Sequence, residues 1–203
     1  YHEIGHHVCR HTADFRLNGL RPLSAQTNKK IALDEGTCDL LTASLLNSPD
    51  IYGWHRASLP MWDRRRRALG PQWTMAGFQG GATDPHADGT IWASACWSAR
   101  EQVVAAGYSS DRFDRMLLRG LELSLAAAQA VLEGPSTSKA TQAERTSVAL
   151  KQRRHVARLL EAMLIADPDL SDPVLAGMAA HGIRPNASNV ELRRAATPCR
   201  GKV

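Results

Sequence analysis

The chain begins with a constraint on backbone shape. His2-Glu3-Ile4-Gly5-His6 is an H-E-x-x-H pattern, one residue from the start. Such a pattern can serve a metal ion only on a helix. There His2 and His6 stand one turn apart on one face and both imidazoles reach the same ion, with Glu3 between them able to take a proton from a water. Residues 2 to about 11 are therefore expected to be helical. A zinc ion that does chemistry needs a third protein donor and one open position. Asp34-Glu35-Gly36-Thr37-Cys38-Asp39 offers it. On a helix Glu35 and Asp39 share a face, so Glu35 can be the third ligand and Asp39 can accept the free ring N–H of His2, fixing its tautomer.

The rest of the chain has helical rather than alternating periodicity. Asp34 to about Leu46 carries an apolar stripe of Leu33, Leu40, Leu41, Leu45 and Leu46, with Asp34 and Glu35 suited to its first turn. Further helices are expected over His86 to about Ala106, Asp111 to Leu132, Thr141 to Ala166 and Asp172 to His181, the last closed by Gly182. Gly134-Pro135-Ser136-Thr137-Ser138 interrupts the series. Residues 12–30 read as a loop, and 47–84 as a long loop with short helical pieces, of the kind that lines functional sites. No strand pattern or internal repeat stands out. The expected fold class is mainly α, with one domain over residues 1–183 and a loose tail over 184–203.

The 203 residues, 43% hydrophobic and 22% charged, suit a globular domain, and no apolar run is long enough for a membrane span. The formal charge of +5 is mild. Arg64-Arg65-Arg66-Arg67 reads as a solvated face, since no aromatic ladder accompanies it, and no nucleic-acid partner is expected. Cys9, Cys38, Cys96 and Cys199 form no CxxC pair, which excludes a zinc ribbon or a thioredoxin motif. If Asp39 meets His2, Cys38 is expected near the His2 end of the first helix, about 10 Å from Cys9 at the usual helical rise. That exceeds the roughly 7 Å between α-carbons that a disulfide tolerates, so no Cys9–Cys38 bond is expected.

Three segments, in order, resemble the thermolysin-like gluzincin metallopeptidases, closest in pattern to their fungalysin-like group. They are H-E-x-x-H at 2–6, Glu-x-x-x-Asp at 35–39, and His86-Ala87-Asp88-Gly89-Thr90-Ile91-Trp92-Ala93, which is similar to that family's His-x-x-Gly-x-x-Trp-Ala. The likeness is good over residues 1 to about 106. It implies the helical C-terminal catalytic subdomain of a zincin, cut at its N-terminal side so that the preceding β-rich subdomain is absent and the cleft keeps one wall. It implies Zn2+ held by His2, His6 and Glu35, with Glu3 as the general base. Asp39 is then the aspartate behind the first histidine, and His86 the donor to the tetrahedral oxyanion. Tyr52 or His55 would stand in for the family's auxiliary tyrosine. The implied protein is a secreted zinc endopeptidase acting on peptides or proteins. A zinc aminopeptidase or other gluzincin hydrolase, and a non-catalytic helical binding module, are the competing readings. The remaining histidines, His7, His11, His155 and His181 among them, read as structural. His7 points roughly 100° away from His6 on a helix.

Overall fold

Among the residues that the computed structural model describes (1–12, 28–51, 67–78, 85–133 and 156–185), the chain builds α-helices and no strand. These are α1 (His2–Thr12), α2 (Asn28–Leu46), α3 (Pro85–Ala105), α4 (Ser110–Glu133), α5 (Val156–Ala166) and α6 (Ser171–Ala180). Short 3-10 turns lie at Met75–Gly77 and Pro168–Leu170. The fold is mainly α, as expected. The parts of the expected helix and loops at 141–155, 13–27, 52–66 and 79–84, and the tail beyond 185, lie outside the described residues. None of the described helices is long and apolar enough to cross a membrane.

One boundary differs from the sequence expectation in a way that matters. α2 starts at Asn28, so Asp34 and Glu35 sit in mid-helix rather than in its first turn. Their carboxylates therefore serve side chains of other helices and not the α2 dipole.

The centre of the molecule is α3. It buries ten consecutive residues, Asp88 to Trp97. α2 packs on one side of it and α6 on another, α1 lies against α2, and α5 lies against α4. A helix covered all round shows no amphipathic stripe, which is why α3 carries small residues and Trp92 together. The core continues through Phe113, Met116, Leu117 and Leu121 of α4 and Leu160 and Met163 of α5. Each large apolar side chain buried there contributes about 1.5–3 kcal/mol. One stripe residue named from the sequence is exposed instead, Leu45 at 67%, and Val104 at the end of α3 is exposed at 50%. Leu33, Leu40 and Ala43 set the buried face of α2, and Leu45 lies about 200° round the helix from Ala43.

α2 and α3 touch backbone to backbone. A Cβ on Gly36 would stand 2.2 Å from the Gly89 carbonyl oxygen, and one on Gly89 would stand 2.5 Å from that of Ala32. Beside this seam Trp92 Nε1 donates to Thr37 Oγ1 at 3.1 Å. At the far end of α2, Arg100 of α3 donates to Asp114 of α4 (3.2 Å) and to Asn47 Oδ1 (3.1 Å), while Ser44 donates to the same aspartate at 3.0 Å. Three helices close alike. Asn47 (φ 47°), Gly107 (φ 88°) and Gly182 (φ 77°) take the left-handed conformation just past α2, α3 and α6. The next N–H then reaches back: Ser48 to Ala43, Tyr108 to Val103 and Ile183 to Met178, at 3.0–3.1 Å.

Candidate metal centre

α1 buries only Gly5 and Cys9. Gly5 lets it sit down on α2, since a methyl there would be 2.9 Å from Cys38 Cα. That close approach lowers His2 and His6 onto the α2 face that carries Asp34, Glu35, Cys38 and Asp39. One oxygen, Glu35 Oε2, lies at the centre. It is 3.0 Å from His2 Nε2, 3.6 Å from His6 Nε2 and 3.1 Å from His86 Nε2. His86 comes from the first turn of α3, brought across by the Gly36–Gly89 contact. His2, His6 and Glu35 offer donor atoms that all lie within 4.8 Å of one another. His86 stands beside this set, on Glu35. Glu3 is exposed on α1.

The other nitrogen of each α1 histidine is held from α2. His2 Nδ1 donates to Asp39 Oδ1 at 2.8 Å, and His6 Nδ1 is 3.3 Å from Asp34 Oδ1 and 3.3 Å from Cys38 Sγ. Each ring thus has one nitrogen anchored and one turned to Glu35. Asp39 is fully buried and carries a second partner. Arg67 donates from Nε to Oδ2 at 3.1 Å and from Nη2 to Oδ1. Arg67 Nη2 and His2 Nδ1 are both donors, so their 3.0 Å separation reflects a shared acceptor, Oδ1, and not a bond between them.

Asp34, Cys38 and Arg67 were not singled out for this site from the sequence. The solvated reading of the Arg64–Arg67 run fails at Arg67, and Arg64–Arg66 lie outside the described residues, as do Tyr52 and His55. The segment that presents Arg67 is fastened down. Leu69 N–H donates to Pro49 O (3.0 Å), Gly70 N–H to Ser94 Oγ (3.1 Å), and Met75 N–H to His181 O (2.9 Å). The buried His181 ring donates from Nδ1 to the Trp73 carbonyl and accepts from Ser98 Oγ at 2.8 Å. His181 is a structural pin, in line with its sequence reading. His7 and His11 are exposed, with ring centroids 4.7 Å apart on the outer side of α1.

Arg67→Met leaves the Asp39 carboxylate buried, with the His2 ring still on its Oδ1. The expected loss is about 3 kcal/mol of folding stability, since removing one partner of a buried ion pair strands the other charge. Chemical denaturation measures it, and a shift below about 0.5 kcal/mol would show that water reaches Asp39.

The electrostatics follow from this crowding. Burial disfavours a charged His2, but hydrogen bonds to Asp39 and Glu35 and the Asp39 charge outweigh it, against opposition from Arg67, and push its pKa up to about 9. Burial raises the Glu35 carboxyl, yet the His2 hydrogen bond and the charges of His86, His6 and His2 win and hold it below its ordinary value. Asp34 goes the other way, because burial outweighs the pull of His6.

A cation at His2 Nε2 must displace the proton that bridges it to Glu35. For protein first stripped by a chelator, zinc affinity is therefore expected to rise with pH between about 6.5 and about 9, about tenfold per unit from this proton alone. The proton's own contribution to folding runs oppositely. It is present in full below the ordinary value of 6.5 and lost as pH passes about 9. Competition against a chromophoric zinc chelator across this range measures the slope, and a flat profile would rule out displacement of a His2 proton.

No family model, curated protein or solved structure matches the chain.

Proposed function

We propose that the chain hydrolyses peptide bonds, using a zinc ion held by His2, His6 and Glu35. The observation that carries this reading is the convergence of those three donors with Asp39 on the outer nitrogen of His2. Their spacing supports it. The donors of a tetrahedral ion with bonds near 2.0–2.1 Å stand roughly 3.3 Å apart. Glu35 Oε2 is 3.0 and 3.6 Å from the two imidazole nitrogens. The chemistry of the set, two imidazoles and one carboxylate from two rigid helices, also suits zinc and leaves room for a further ligand.

Zinc held there would make a water acidic near neutral pH and polarise the scissile carbonyl. Glu3, exposed on α1 next to His2 in the sequence, would take a proton from the attacking water and pass it to the leaving amine. His86 turns its N–H from Glu35 to the oxygen where negative charge develops. Asp39 and Arg67 fix His2, and Asp34 and Cys38 fix His6, so neither ring reorients during the reaction.

Metal analysis after equilibrium dialysis tests the reading at its base. One zinc per chain is expected, and it should be lost in both His2→Ala and Glu35→Ala. A chain that takes up no zinc at neutral pH, or whose zinc survives both substitutions, removes the proposal.

A further inference from the structure

One pair of reactive groups lies just behind the proposed zinc donors: the thiols of Cys9 and Cys38, the latter 3.3 Å from His6 Nδ1. Both are free in this structure and both have no exposed surface. The sequence spacing suggested that they lie about 10 Å apart. The structure overturns that. α1 crosses α2 with Gly5, rather than His2, against Cys38, and a Cβ on Gly5 would meet Cys38 Cα at 2.9 Å and Sγ at 3.1 Å. Cys9 is the residue one turn beyond Gly5 on the same buried face. The neighbouring Cys9 thiol, together with burial, raises the Cys38 thiol well above its ordinary range. Cys96, the other described cysteine, is on α3.

We infer that Cys9 and Cys38 are joined by a disulfide in the protein matured under oxidising conditions, tying α1 to α2 beside His6. Two features of the fold favour the bond. The crossing is held by a glycine, so the two backbones are close enough for the short reach of a disulfide. The apposed thiols also lie within a helix pair already fixed by His2–Asp39 and His6–Asp34, so closing the bond requires no new arrangement of helices. The oxidant is a disulfide, either oxidised glutathione or a disulfide-bearing oxidoreductase. One cysteine thiolate attacks it to form a mixed disulfide and release one thiol. The second cysteine then displaces the other thiol. In sum two protons and two electrons pass from the pair to the oxidant, which leaves as two thiols. Because both sulfurs are buried, exchange occurs while α1 is still undocked. The product staples the helix of His2 and His6 to the helix of Glu35.

The test uses the whole chain, denatured and refolded with oxidised glutathione, then digested without reduction for peptide mass spectrometry. A peptide pair linked through Cys9 and Cys38 is expected. Recovery of both as free thiols, or linkage of either to Cys96 or Cys199, overturns the inference. A second measurement needs no variant. In excess chelator, the oxidised protein should melt about 5–10 °C above the same sample after reduction. Equal melting temperatures would show that the bond does not hold α1 in place. Neither readout depends on zinc, so a chain that binds no metal can still carry the bond, and a chain that binds metal can lack it.

Discussion

Glu3→Gln is expected to take up zinc as the unaltered chain does and to lose peptide hydrolysis by about 10²–10⁴-fold. The two halves of this result come from different atoms. The donors His2, His6 and Glu35 and the groups behind them, Asp39, Arg67, Asp34 and Cys38, are untouched by the change. Glu3 stands apart from them on the exposed side of α1, so its replacement by an amide of the same shape costs the fold little. What disappears is a basic oxygen able to accept a proton from water and return it to an amine. A quenched fluorescent peptide reports turnover, and metal analysis on the same sample reports zinc. Wild-type turnover in the variant would take Glu3 out of the chemistry. Loss of zinc together with turnover would show instead that the substitution disturbs α1.

Gly36→Ala is expected to be among the most damaging single methyls at the described glycines, costing roughly 3 kcal/mol or more of stability and weakening zinc binding as well. An alanine is ordinarily the better helix residue by up to about 1 kcal/mol, which works in the opposite direction. The seam decides the sign. The new methyl would be 2.2 Å from the Gly89 carbonyl oxygen and 2.8 Å from its carbon. Both atoms are backbone, so no rotamer change relieves the clash, and α2 and α3 must part by about an ångström to restore ordinary contact. Glu35 is the neighbouring residue, and His86 lies just before Gly89 on α3. Their 3.1 Å contact is the first to open. Gly77→Ala is the control, because nothing lies within 4 Å of a Cβ placed there. Urea midpoints of the two variants give the comparison. Equal midpoints would mean that α2 and α3 are not in backbone contact in solution.

What could be read from the sequence was governed by spacing within single helices. His2 with His6 and Glu35 with Asp39 are four-residue pairs, and the helical period alone puts each pair on one face. The approach of the two faces was suggested by chemistry, since metal ligands must converge. What could not be read depends on how helices cross. Cys38 was placed too near the His2 end of α1, by about one turn, because the crossing point is set by Gly5, a residue with no side chain to advertise it. Arg67 was assigned to solvent because its run is basic and lacks aromatics. The clue was on α2 instead, where a carboxylate one turn from a ligand must be buried and so needs a cation. The start of α2 was missed because Asn28 to Leu33 carries no marked stripe, and a helix enclosed on several sides needs none. The helical fold class survived these errors, since α4 and α5 have clear apolar faces and α1 was read from its metal motif.

The cluster around Glu35 has a further consequence, in its charge balance. Among the described residues, Asp34, Glu35 and Asp39 are matched by one guanidinium, that of Arg67 on Asp39, which leaves two negative charges when all three carboxylates are ionised and the imidazoles are neutral. The proton on His2 offsets part of that excess, and a single divalent cation would offset all of it. If the proposed zinc binds there, its double charge would offset that excess without adding a net charge to the site. A singly charged ion would undershoot the balance and a triply charged one would exceed it, so in the proposed zinc site the carboxylates of α2 would favour a divalent ion before any question of size or ligand softness arises.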